Sequence, residues 1–150
     1  MEIEFMKMSV QTERAEQAVD ITPKVEQAVK ESGIRDGLVS VFTEHTSAGL
    51  TVTEGLWDLE EDIFSFLRRL IPKNIDFRHN RYLEKDGRLA VNPEAHLMSL
   101  VAGYNVSFPV YNGSIVKGSR QSIYFLEFDG PLLRYYNVLI IGSKKKNVAA

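Results

Sequence analysis

Three histidines occur in this chain, each among polar residues: Glu44-His45-Thr46-Ser47, Arg78-His79-Asn80 and Glu94-Ala95-His96. Imidazole serves as general acid, general base or ligand for zinc and similar metals. The chain has no cysteine, so disulfides, thiol nucleophiles and thiolate ligands are excluded, and a transition-metal site would draw on His, Asp and Glu. Three imidazoles on one ion would leave a position open for water or substrate. The histidines stand 34 and 17 positions apart, which matches no compact ligand motif, so spacing alone leaves their convergence open.

Glu54 and Asp62 are the acidic residues suited to join such a site, as ligand, orienting partner or general base. Asp62 sits with Asp58, Glu60 and Glu61, an ordinary acidic helix face, whereas Glu54 stands apart. The run Lys117-Gly118-Ser119-Arg120-Gln121 brings two cations to a glycine turn, and such a turn can hold phosphate through its backbone N–H groups. A plain hairpin turn with solvated charges would read the same. No GxxxxGK[ST] or GxGxxG fingerprint accompanies it, and Ser47, a nucleophile candidate by type, lacks a GxSxG elbow.

The elements that must position these residues follow from pattern. Residues 3–10 alternate as a strand through Ile3, Phe5, Met8 and Val10. Thr22-Pro23 reads as a helix start with Thr22 as cap, and Ser32-Gly33 as its end. Residues 37–43 are rich in β-branched and aromatic side chains and run into His45; Leu50-Thr51-Val52-Thr53 alternates again and ends at Glu54. The spacing of Leu59, Ile63, Phe66, Leu67 and Leu70 predicts a helix over 57–70, closed by Pro72. Residues 73–92 form a polar stretch without period, holding His79; a loop that long inside a domain implies a function. Asn92-Pro93 opens a short helix, with Asn92 as cap and Pro93 at the first position, that ends at Gly103. Strands over 105–111, 122–128 and 135–141 follow, separated by the turns Asn112-Gly113 and Asp129-Gly130-Pro131. Strands joined by tight turns pair antiparallel, so the expected class is α+β: an antiparallel two-sheet β-sandwich with a few short helices.

Composition sets outer bounds. The 150 residues are 44% hydrophobic and 25% charged, enough for one core, and a single domain over 1–150 is expected; any metal would be functional rather than structural. A net charge of −2 supplies no drive toward nucleic acid. No apolar run approaches the ~20 residues of a membrane span, and the acidic start Met1-Glu2-Ile3-Glu4 is unlike a signal peptide, so a cytoplasmic protein without membrane association is expected. Lys144-Lys145-Lys146 reads as a solvated tail.

Taken in order, several of these pieces resemble the YjbQ-like family, whose members look like secondary thiamine-phosphate synthases. The pieces are Asp20-Ile21-Thr22, Ser32-Gly33-Ile34, His45-Thr46-Ser47-Ala48-Gly49-Leu50-Thr51-Val52-Thr53-Glu54, Pro72, His79-Asn80, Ala95-His96-Leu97, Gly103, Pro109-Val110, Asn112-Gly113, Gly118, Gln121-Ser122-Ile123 and Glu127-Phe128-Asp129-Gly130-Pro131. They span about residues 15–142.

The resemblance implies that His45, His79 and His96 line one pocket with Glu54 and Asp62 near it, and that the three histidines hold a divalent metal, zinc or magnesium. It also implies substrate contacts from Thr46, Ser47, Asn80 and the 117–121 turn, and a homotrimer. The implied activity condenses a pyrimidine methyl diphosphate with a thiazole phosphate and releases pyrophosphate. A metal-dependent hydrolase of a small phosphorylated substrate and a non-enzymatic trimeric binding module are the alternatives. Two departures stand out: Thr53 where the family commonly has Asn, and Gly118-Ser119-Arg120-Gln121 where it commonly has Gly-Thr-Trp-Gln. The second exchanges an indole that stacks on rings for a guanidinium that grips phosphate.

Overall fold

Alternating apolar and polar side chains, with turn residues between, build most of the eight strands found among the described residues. The computed structural model describes residues 1–73, 75–81 and 92–144. In chain order these are β1 (Glu2–Gln11), β2 (Gln17–Asp20), α1 (Thr22–Ser32), β3 (Asp36–Phe42), β4 (Ala48–Glu54), α2 (Trp57–Leu70), a 3-10 turn (Arg78–Arg81), α3 (Pro93–Ala102), β5 (Asn105–Tyr111), β6 (Ser114–Ile115), β7 (Gln121–Glu127) and β8 (Leu133–Ser143). Five strands form one antiparallel sheet in the order β1-β8-β3-β5-β6, and three form a second, β2-β7-β4. The α+β class with two antiparallel sheets is therefore the observed one.

The sheets bury a shared core from their facing sides: Val39 and Val41 on β3, Tyr136, Val138 and Ile140 on β8, Leu50 on β4, Ile123 and Phe125 on β7, with Val25 and Val29 of α1. A second cluster lies on the other side of the small sheet, where Phe64 and Leu67 of α2 and Ala95 and Met98 of α3 cover Tyr124 and Leu126. The central strand β7 is thus buried on both faces, which accounts for its nearly continuous apolar run. The outer face of the large sheet has no such cover and exposes Ile3, Phe5, Leu38, Tyr111, Leu133 and Tyr135.

Several local expectations are revised by tertiary contacts. Thr22 does not cap α1: the Asp20 carboxylate accepts the Thr22 N–H at 2.8 Å, and the Thr22 hydroxyl instead accepts the Ile123 N–H of β7 at 2.7 Å. Gly33 does close α1, with φ 68°. The Asn92 side chain likewise makes no cap to α3 and donates to Asp129. The short strands β2 and β6 carry too few residues to show alternation; β6 follows a turn in which Asn112 and Gly113 have φ of 51° and 78°, as a tight hairpin requires. Of the 73–92 stretch, the turn 78–81 holds His79, while residues 74 and 82–91 lie outside the described set. Lys144 is no free tail residue, since it pairs with Glu4 at 2.8 Å and Glu2 at 3.0 Å; the remainder of the lysine run lies outside the described residues.

Candidate functional site

The loop 43–47 leaves β3 at one end of the sandwich and enters β4, and tertiary bonds fix it on both sides. On the side of β8 where the pairing with β3 ends at Phe42 and Asn137, His45 Nε2 accepts the Tyr135 N–H at 3.0 Å. The Thr43 hydroxyl donates to the Tyr135 carbonyl at 3.2 Å and accepts the His45 N–H at 3.2 Å. Behind the loop, Arg134 of β8 reaches across to Glu127 of β7, with Nε–Oε2 at 2.7 Å and Nη2–Oε1 at 2.6 Å. Glu127 is 0% exposed and Arg134 6%. Thr12 donates to the same carboxylate at 3.0 Å, and Arg134 donates to Ser47 Oγ at 3.0 Å. A buried pair is tolerable only when its remaining donors and acceptors are met; here they are met by Thr12, by the Phe128 and Asp129 N–H groups and by Ser47 of the loop. Burial first, then the Arg134 guanidinium, hold His45 below its ordinary pKa of 6.5, because both disfavour its cation.

Helix α3 brings His96 to this loop. The edge of β4 is closed by the helix end, where Leu50 N–H donates to the Gly103 carbonyl at 3.0 Å and Ser99 Oγ donates to the Ala48 carbonyl at 2.7 Å. Gly49 permits the approach: a Cβ there would stand 2.7 Å from Ala102 Cβ and 2.9 Å from the Gly103 oxygen. One turn into the helix, His96 Nδ1 lies 2.8 Å from the Thr46 carbonyl. The His79 ring meets the His96 ring edge to face at 5.2 Å.

Two clefts share Thr46 and His96 as their common wall. One, about 410 Å³, is lined by Glu44, His45, Ser99, Leu100 and Tyr104; the other, about 490 Å³, by Phe77, Arg78, His79, Pro93 and Leu97. Glu44 therefore gives the first a carboxylate and Arg78 gives the second a guanidinium. A third groove of about 570 Å³, between β1 and α1, holds no histidine.

The structure thus gathers His45, His79, His96 and Thr46 at one end. Ser47 is beside them but 8% exposed and bonded to Arg134, so its hydroxyl serves the loop. Asn80 is exposed on the 3-10 turn. Glu54 lies at the far end of β4, roughly 20 Å along the strand at ~3.3 Å per residue, and pairs there with Arg120 at 3.0 Å. Asp62 is exposed on α2. The 117–121 turn lies by Glu54 as well, with Gly118 N–H bonded to Gln121 Oε1 at 2.8 Å, Lys117 to the Gln121 carbonyl at 3.1 Å and Ser119 and Arg120 at its tip. Among the described residues no group of three or more His, Asp or Glu is placed to hold a metal ion. The three-histidine set does not fit a metal as it stands, since the Tyr135 amide occupies the His45 Nε2 lone pair. Glu44, Arg78, Tyr104, Glu127 and Arg134 carried no role in the sequence reading; adjacency to His45 and His79 was the available signal for the first two.

The comparisons with known proteins agree on one family. Residues 6–143 match the model described as UPF0047 protein YjbQ-like. A UPF0047 protein of Methanocaldococcus jannaschii is 37% identical over 141 residues, 93% of this chain and 96% of the relative. The UPF0047 protein YugU of Bacillus subtilis is 30% identical over 135 residues, 90% and 97%. The crystal structure of a YbjQ-like protein of unknown function from Sulfolobus solfataricus superposes with a TM-score of 0.86 at 34% identity, covering 95% of this chain and 99% of that one.

Proposed function

This chain belongs to the UPF0047 protein YjbQ-like family, and from that premise we propose that it is an enzyme of the thiamine-phosphate synthase type. It condenses a pyrimidine methyl diphosphate with a thiazole phosphate. The C–O bond of the pyrimidine methylene breaks, its electron pair leaves on pyrophosphate, and the thiazole nitrogen lone pair forms the new C–N bond. The observation that carries this reading is the pair of clefts with His96 and Thr46 between them. Two substrates need two adjoining subsites, and catalysis here is largely a matter of holding them in line while the departing anion is stabilised. Arg78 and His79 suit the phosphate-bearing side, and Glu44 suits the side where positive charge develops. No step is routed through a metal.

A homotrimer belongs to the same proposal. The exposed apolar face of the large sheet, with Ile3 at 67% and Phe5 at 57% exposure, is of the kind that copies of one chain cover. A neighbouring copy that sets the far end of its β4 against the histidine clefts would add Glu54, Arg120 and Lys117 to them. The direct test incubates purified protein with both phosphorylated rings and follows thiamine phosphate and pyrophosphate together. Equal formation of both, lost in His96→Ala, is expected. Phosphate release from a single substrate would replace the reading with a hydrolase, and binding without turnover would replace it with a binding module.

A further inference from the structure

We infer that His45 and His96 have different and fixed roles: His45 is a hydrogen-bond donor through Nδ1–H and no metal ligand, while His96 presents an unprotonated Nε2 as the site's base or ligand. The assignment follows from what each ring is bonded to. A backbone N–H can only donate, so the Tyr135 amide at 3.0 Å from His45 Nε2 requires a lone pair on that nitrogen and puts the neutral ring's proton on Nδ1. Both nitrogens are then committed, one as acceptor to β8 and one as donor. Nothing remains to bind a metal unless the Tyr135 bond breaks.

A carbonyl can only accept, so the Thr46 oxygen at 2.8 Å from His96 Nδ1 requires the proton on that nitrogen. In the neutral ring His96 Nε2 then keeps its lone pair, and the ring has no other hydrogen bond among the described residues. The carbonyl–imidazole pairing is the arrangement that orients metal-bound and basic histidines, since it fixes tautomer and ring angle at once. His96 stands where the two clefts meet, with the His79 ring edge to face at 5.2 Å between centroids. His45 lines the 410 Å³ cleft, and its Nδ1–H suits a ligand's acceptor atom, such as a phosphate oxygen or a ring nitrogen. Loop, strand and helix enforce the difference, because the donors and acceptors that set it are backbone groups. The inference is independent of the condensation, and holds or fails whatever reaction the protein performs.

The experiment is long-range proton–nitrogen correlation spectroscopy on the nitrogen-15-labelled full chain at neutral pH, before and after addition of zinc alone. Expected are pyrrole-type Nδ1 and pyridine-type Nε2 signals for both His45 and His96, and a zinc-induced shift of the His96 Nε2 signal with that of His45 unmoved. Zinc titration of variants provides the second arm. His45→Gln, whose Oε1 can still accept from Tyr135, is expected to hold zinc within about twofold of the parent, and His96→Gln to lose about tenfold or more. A pyrrole-type Nε2 on His45, a zinc shift shared by His45, or equal loss in the two variants overturns the assignment. If zinc is not taken up, or His45→Gln does not fold, the tautomers of the parent protein still decide it.

Discussion

At the residue scale, His45 links stability to pH. Its folded pKa lies below 6.5, so in the window between the folded and unfolded values the unfolded chain binds more protons, and stability rises with pH through that window. Melting temperature is expected to fall as pH drops below about 6.5, with a shallower fall in His45→Gln; calorimetry over a pH series reads the difference. Behind His45, the pair Arg134–Glu127 is the costliest place to cut. Removing one partner strands a buried charge, and Arg134→Ala is expected to lose about 3–5 kcal/mol in denaturant unfolding. Arg134→Met paired with Glu127→Leu removes both charges but strands the Thr12 hydroxyl and the Phe128 and Asp129 N–H groups that Glu127 now accepts. It is therefore expected to recover only part of that stability, and not activity, because the loop then loses its hold on Ser47.

At the element scale, the site depends on how closely α3 rides on the edge of β4. Gly49→Ala places a methyl group against Ala102 and the Gly103 carbonyl, so the helix must shift. A cost of about 1–3 kcal/mol is expected, with activity falling further than the loss of folded protein explains, as unfolding midpoints and turnover on one sample would show. A Gly49→Ala protein with full activity would mean that the position of His96 is not set by this contact. The 3-10 turn at 78–81 is the other positioning element; it sets His79 against His96 and Arg78 in the neighbouring cleft.

At the scale of the whole molecule, the opposite ends of β4 hold two groups of candidates that one copy does not join. If copies complete each other's sites, an inactive His96→Ala chain and an inactive Glu54→Ala chain co-refolded together are expected to regain part of the parent activity. No recovery from a mixed oligomer would leave Glu54 and Arg120 outside the site. Sedimentation is expected to give three times the 17.0 kDa of the chain, and Phe5→Glu to lower that mass through charge on the apolar sheet face. Trp57, the one tryptophan and 79% exposed, lies three positions beyond Glu54 and reports on that end by its fluorescence when copies associate.

The sequence by itself determined the elements that have a strong period or clear punctuation. The helix 57–70 and the strand 105–111 fall where pattern places them, because amphipathic spacing and turn residues are local properties of the chain. The histidines too were legible as candidates for chemistry, by type and by family resemblance. Tertiary structure alone decided which of them meet and in what state. His79 and His96 touch because Gly49 lets α3 settle on β4, and Glu54 is kept from them by the length of that strand. Thr22 and Asn92 serve distant partners rather than their own helices, a choice made by packing after the helix has formed. The hydrogen bonding of His45 and His96 depends on a backbone group remote in sequence, Tyr135 for the first and Thr46 for the second. Hydrogen-bond direction is a property of the folded neighbourhood, and no spacing of residues encodes it.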